Sequence, residues 1–287
     1  MFEEPEPNNR MVWDDLPPDE VIFGRSPVMQ QVKRRLLRIC RTTVPVLLQG
    51  EVGVGKHALS KLVHLRTAGG SGAYLHMNCA GLLGAEFIDP LRMAGWGREL
   101  ARASESAPDE ELGLATVFLD QVNELPPQHQ QRLVRSLADW QERKQSRVPV
   151  NYDAVRIISS STERVRHQVR QGRFRRDLYD LLAVVTIDVP PLRHRLEDLP
   201  ILVEYLRKCC IHQFDVADIP FSNEFVVRLQ QRSWPGNIQE LRNYVCRSVV
   251  LGDGRFNLEA AVDKDEDVGK SGSSGADSAT STRSKQS

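Results

Sequence analysis

The sequence predicts an α/β fold: a five-stranded parallel sheet followed by a small all-helical unit. Three observations lead there. The apolar run Val46-Leu47-Leu48-Gln49 passes straight into Gly50-Glu51-Val52-Gly53-Val54-Gly55-Lys56, a glycine-rich loop ending in lysine. A second apolar run, Val117-Phe118-Leu119, ends in the carboxylate of Asp120. After Pro190-Pro191 the pattern changes from strands alternating with helices to helices alone. Apolar runs separated by helical spacers mark strands buried on both faces, as parallel sheets require.

Taken in order, residues 1–18 are acidic and proline-rich and read as a flexible lead-in. Residues 19–192 read as the α/β nucleotide-binding core. Within it, Val44 to Gln49 is the first strand and Ala58 to Arg66 the helix after the glycine loop. Ala73 to Asn78 is the second strand and Ala115 to Asp120 the third, with a helix from about Gln128 to Lys144 behind it. Ala154 to Ser160 and Val184 to Val189 complete the sheet. Residues 193–256 read as the helical unit, with helices over Leu196 to His212, Asn223 to Gln231 and Asn237 to Leu251. Residues 257–287 are rich in Ser, Gly, Lys and Asp and read as a disordered tail.

Composition narrows the function classes. With 287 residues, 40% of them hydrophobic, the chain is long enough to bury a sizeable core. Lys plus Arg equal Asp plus Glu at 38 each, so the basic footprint expected of a nucleic-acid binder is absent at whole-chain level. No apolar run reaches the length of a membrane helix, and the acidic start is unlike a signal peptide. The expectation is a cytoplasmic protein with no membrane contact. Cys40, Cys79, Cys209, Cys210 and Cys246 form no CxxC pair and are expected as reduced, mostly buried thiols. A zinc site on Cys209, Cys210 and His212 lacks a second half.

The glycine loop has the form G-x-x-x-x-G-K. Its glycines let the backbone curl so that N–H groups point at phosphate oxygens, and the helix that follows offers its positive end. Gly50, Glu51, Val52, Gly53, Val54, Gly55 and Lys56 are therefore candidate ATP contacts, with Lys56 reaching the β- and γ-phosphates. The next residue is usually a Ser or Thr that ligates Mg²⁺, but here it is His57. An imidazole is a poor magnesium ligand, so binding of Mg²⁺ is expected to lean on Asp120 at its strand end.

Several further stretches occur in a recognisable order. They include Ile22-Phe23-Gly24-Arg25, Asn78-Cys79-Ala80, Glu124-Leu125-Pro126 and Gly172-Arg173-Phe174-Arg175-Arg176-Asp177-Leu178-Tyr179. Pro190-Pro191-Leu192-Arg193-His194-Arg195 and Trp234-Pro235-Gly236-Asn237 with Glu240-Leu241-Arg242-Asn243 follow. With the glycine loop and Asp120, this set resembles the AAA+ ATPase domain of the sigma-54-dependent transcriptional activators from about Val21 to Arg255. The resemblance implies an AAA+ core with a helical lid, ATP and Mg²⁺ as cofactors, and assembly as a homo- or hetero-oligomer of AAA+ subunits. It also implies roles for Asn78, which holds the catalytic glutamate at rest, and for Arg175, a trans-acting arginine.

The departures from that family fall on the chemistry. The glutamate that should follow Asp120 is Gln121, and the second trans-acting arginine position is Leu181. The polar residue ending the fourth strand, usually Asn, is Thr162. The lid arginine that reads the phosphates is replaced by Gln239. A general base contributes about 10² to 10⁴ in rate and an arginine finger about 10³ to 10⁵. A combined loss of about 10⁵ would take a typical ~10 s⁻¹ enzyme to ~10⁻⁴ s⁻¹. The G-A-F-T-G-A loop is also missing: the chain reads Glu86-Phe87-Ile88-Asp89-Pro90 and on to Gly95-Trp96-Gly97, with Trp96 expected as a packed residue in a trimmed loop. This argues against direct contact with sigma-54, though not against another protein partner. No receiver domain fits before Val21 and no helix-turn-helix after Arg255, so no DNA-binding domain is expected. The favoured reading is an ATP-binding regulatory protein of transcription with weak or absent hydrolysis; the alternative is an active AAA+ ATPase that remodels a protein partner.

Overall fold

A computed structural model describes residues 16–67, 73–82, 115–145, 155–218 and 220–251. Five strands, β1 (Val46–Gln49), β2 (Tyr74–Asn78), β3 (Ala115–Asp120), β4 (Val155–Ser161) and β5 (Val185–Asp188), form one sheet in the order β2-β3-β4-β1-β5. Every pairing is parallel. The glycine loop therefore leaves a central strand, with the ends of β4 and β5 on either side of it. Asn78 pairs with Asp120, and Gln49 with both Ser161 and Asp188.

Helices cover both faces. On one side lie α2 (Pro27–Ile39) and α3 (Lys56–Arg66), which bury Val32, Leu36, Leu59 and Val63 against Leu48, Phe118 and Ile158. On the other lie α4 (Pro127–Gln145), α5 (Val165–Arg170) and α6 (Arg176–Leu182), where Leu133, Leu137, Leu178 and Leu182 meet Val117, Leu119 and Ile157. The alternating inward faces of β3 explain the division: Val117 and Leu119 point one way, Phe118 the other. A short α1 (Asp19–Phe23) and α2 lie in a stretch for which the sequence reading gave no helices. Gly24 between them has φ +53°, and a Cβ there would sit 2.1 Å from Cγ of Asp198. That carboxylate accepts from Arg25 N at 2.6 Å, Ser26 N at 2.7 Å and Ser26 Oγ at 2.6 Å, so it fastens the turn before α2 to a distant part of the chain.

β5 leads through two 3₁₀ turns, Leu192–His194 and Leu196–Asp198, into α7 (Leu199–Phe214), α8 (Asn223–Gln230) and α9 (Asn237–Val250). Their shared core holds Leu202, Leu206, Phe225, Leu229, Trp234, Leu241 and Val245, and Val21 of α1 joins it. The expectation of reduced thiols fails for one pair. Helices α7 and α9 pack side by side and bring Cys210 and Cys246 to a Cα separation of 5.5 Å, where they form a disulfide. Two cysteines 36 residues apart on different helices form no local motif, so only the packing reveals them. Cys79 and Cys209 are buried thiols and Cys40 is half-buried. The Glu86 to Gly97 segment with Trp96, the tail and most of the lead-in lie outside the described residues.

Candidate functional site

The site begins with the peptide planes of the glycine loop. Gly53 and Gly55 have φ +78° and +101°, a backbone that side chains resist. Three successive loop carbonyls are held by donors from the segment that joins β5 to α7, the hinge, and from the helical unit. Asn237 Nδ2 donates to Val52 O at 2.9 Å, Ile238 N to Gly53 O at 3.0 Å, and Arg195 Nη2 to Val54 O at 2.9 Å. In a trans peptide the N–H points opposite to the C=O. Holding these carbonyls therefore turns the N–H groups of Gly53, Val54 and Gly55 away from the helical unit's donors, the orientation an anion nest needs. A Cβ on Gly53 would meet Gly236 O at 2.3 Å, which is why glycine stands there.

Asn237 is the keystone of this contact. It is fully buried, takes φ +54°, accepts from Leu192 N at 2.8 Å and also reaches Glu51 Oε2 at 3.1 Å. Glu51 in turn receives both guanidinium arms of Arg193, at 2.8 and 2.6 Å. Hydrogen bonds from Arg193, then Asn237, hold the Glu51 carboxyl down at about 2. Burial pushes the Arg195 guanidinium down to about 10.

Lys56 is buried, and its Nζ donates to the carbonyls of Gly50 at 2.7 Å and Glu51 at 2.8 Å. Burial lowers its pKa, opposed by the charge of Asp120. Lys56, His57, Asp120, Gln121, Thr162 and Gln239 line one cavity of about 330 Å³, which also touches Arg242. Pro17, Gly55, Tyr205, Leu206 and Ile238 connect it to an apolar recess of about 120 Å³ that continues to Val21, Met29 and Leu202. A polar lobe at the loop and an apolar lobe between α1 and α7 match a triphosphate and a flat heterocycle. A larger cleft of about 520 Å³ opens between α2 and the hinge, but it lacks Lys56 and Asp120 and so the chemistry of a phosphate site.

Asp120 sits where β3 ends. Oδ1 accepts from Ser160 Oγ, and Oδ2 lies 3.5 Å from Nε2 of His76 on β2. The His76 and His57 ring centroids are 4.7 Å apart. Burial lowers the His57 pKa first, with His76 adding to it and the charge of Asp120 opposing it. The donors gathered here are one carboxylate and two imidazoles, with no hydroxyl at position 57. Of these, Asp120 is the group suited to Mg²⁺, which one carboxylate, phosphate oxygens and water can hold, and the two imidazoles are poor ligands for it. Gln121 has φ +55°, an uncommon conformation for its residue type, and its N–H donates to Ser160 Oγ at 3.0 Å. Thr162 Oγ1 accepts from Asn123 Nδ2 at 3.1 Å.

Two sequence candidates stand apart from the cavity. Asn78 Oδ1 accepts from Ala80 N at 3.0 Å, capping the 3₁₀ turn after β2. Arg175 is exposed at the start of α6 and pairs with Asp177 at 2.6 Å. Leu181 packs against the core, and neither Arg173 nor Arg176 lines the cavity. The residues that sequence reasoning did not place in the site are Asn237, Arg195, Arg193, His76, Ser160 and Arg242. Trp234-Pro235-Gly236-Asn237 was a signal for the first, but nothing in the chain announces His76 or Ser160.

Comparison with known proteins accounts for both halves of this geometry. Residues 22–188 match the model of the sigma-54 interaction domain, and residues 193–270 match an AAA+ ATPase lid domain. The transcriptional regulatory protein ZraR of Klebsiella oxytoca is 35% identical over 245 residues, 83% of this chain and 54% of that protein. XylR of Pseudomonas putida is 33% identical over 240 residues, 82% of this chain and 42% of that protein. The chain thus spans about half the length of these relatives. A crystal structure of NtrX from Brucella abortus in complex with ATP superposes with a TM-score of 0.62 at 31% identity, covering 80% of this chain and 53% of that one. With more than half of its residues matched to one domain model and the lid following in register, the chain belongs to the AAA+ family of sigma-54 interaction domains found in bacterial transcriptional regulators.

Proposed function

We propose that this chain is an ATP-binding regulatory AAA+ protein of transcription that holds its nucleotide for long periods and hydrolyses it weakly or not at all. One observation carries the reading: an intact, clamped phosphate loop and Lys56 share a cavity with Gln121 and Gln239, where a general base and a phosphate-reading arginine would be needed. A glutamine can orient water but cannot accept its proton. Asp120 is the carboxylate available to the nucleotide's cation. Exposed Arg175 suits a role across a subunit boundary, which supports assembly with further AAA+ subunits, of this chain or a relative. The NtrX crystal structure with ATP supports ATP as the ligand.

The test measures binding and turnover on one sample. ATP binding by calorimetry, with phosphate release on the order of 10⁻⁴ s⁻¹, is expected. Gln121→Glu should raise release without tightening binding. Turnover near 1 s⁻¹ that Lys56→Ala abolishes would replace this reading with that of a working ATPase acting on a protein partner.

A further inference from the structure

Cys210 and Cys246 tie together the two helices that carry the lid's share of the nucleotide cavity. Tyr205 and Leu206 of α7 and Ile238, Gln239 and Arg242 of α9 line it. Asn237 and Ile238, at the start of α9, also hold the carbonyls of Val52 and Gly53. Cys210 stands one helical turn beyond Leu206, and Cys246 one turn beyond Arg242. The bridge therefore lies directly behind the cavity lining, on the helices whose spacing shapes it. Beside the bridge, Leu202, Leu206, Leu241 and Val245 share one apolar core. Apolar contact is non-directional, so it permits small shifts between helices that a covalent tie forbids.

We propose that the Cys210–Cys246 pair is a reversible thiol–disulfide site whose state sets how tightly the cavity holds ATP, the bridged form binding more tightly. This rests on the reading of the chain as an ATP-binding regulator of transcription and adds the signal it answers to. Such regulators work where glutathione and dithiol systems keep most cysteines reduced, and a disulfide formed there is usually transient and redox-sensing. Cys246 is half-buried and Cys210 fully buried, so a small dithiol attacks at the Cys246 sulfur. One thiolate of the dithiol bonds to that sulfur, the Cys210–Cys246 bond breaks, and Cys210 leaves as a thiolate that takes up a proton. The second thiol of the reductant then displaces Cys246 and closes the dithiol into its own disulfide. Two electrons pass to the protein, and a small disulfide restores the bridge by the reverse exchange.

The test measures ATP affinity by calorimetry on the full chain after oxidation with oxidised glutathione, after reduction with dithiothreitol, and after re-oxidation. Alkylation of the unfolded samples, read by mass, counts the thiols: three of the five cysteines when the bridge is closed and all five when it is open. If the untied helices hold the seated arrangement about a third of the time, reduction weakens ATP binding about threefold, and re-oxidation restores it. Cys246→Ser should bind ATP with the weaker affinity and ignore the reductant. Five alkylated thiols in the oxidised sample, or equal affinity with and without the bridge, overturns the proposal and leaves the ATP reading standing. A difference that persists in Cys246→Ser does the same. If that variant does not fold, the parent decides alone: an affinity that fails to return with the bridge overturns the proposal. No ATP binding in any state overturns both.

Discussion

Replacing Asn237 tests whether the helical unit builds the phosphate loop or merely rests on it. Asn237→Ala removes the acceptor for Leu192 N and the donor for Val52 O, both in the contact between hinge and loop. Each buried group left without a partner costs about 1–3 kcal/mol, less where water can reach it. Alanine must also adopt φ +54°, a conformation that costs it about 1–2 kcal/mol. The sum is about 3–8 kcal/mol, with the lower half favoured where water reaches the freed groups, or a fall in Tm of roughly 6 °C or more for a domain of this size. Asn237→Gly loses the same hydrogen bonds without the backbone penalty and should be milder by about 1 kcal/mol. Urea unfolding of the three proteins, paired with ATP titration, separates the effects. Both variants should weaken ATP binding, because Val52 O is freed to rotate its peptide. An alanine variant within about 0.5 kcal/mol of the parent, with unaltered ATP affinity, would refute the keystone role.

Other consequences are open to simple measurement. Gly24→Ala would drive a methyl into the Asp198 carboxylate at a left-handed position, and should cost about 2 kcal/mol or more in chemical denaturation. Lys56→Ala should abolish the rise in Tm that saturating ATP gives the parent, a stabilisation of about 2.7 kcal/mol at a hundred times Kd. The Glu51 carboxyl, held at about 2 in the fold against 4.5 as its ordinary value, contributes stability that is fully present above pH 4.5 and lost as pH falls through 2. Glu51→Gln should therefore flatten the acid limb of a stability–pH curve and change little at pH 7 to 8 beyond the lost pairing. Reduction of Cys210–Cys246, which closes a loop with a sequence separation of 36, should lower Tm by the equivalent of up to about 4 kcal/mol, and Cys246→Ser should make Tm insensitive to reductant.

What the sequence showed and hid follows from the range of each interaction. Val46–Leu48 and Val117–Leu119 were legible because strands buried on both faces must be apolar throughout. Helix α2 carries Met29, Val32, Leu36 and Ile39 at helical spacing among many basic residues, so its apolar stripe is narrow. The order of strands was not legible, since it depends on pairings between segments far apart in the chain. The glycine loop announced itself because phosphate binding constrains local backbone. Its clamp did not, because Asn237 and Arg195 reach it across more than a hundred residues. The cysteine pair was misread for the same reason: compartment and spacing argued for free thiols, and only helix packing brings the two sulfurs together.

The outward tethering of three loop carbonyls makes the nest a joint property of two parts of the molecule. Any force that pries α9 loose would slacken the grip on the triphosphate without touching it. By thermodynamic reciprocity, a seated triphosphate resists that prying with equal free energy. Whatever becomes of the terminal phosphate bond, the seating of α9 and the shape of the cradle would therefore rise and fall together.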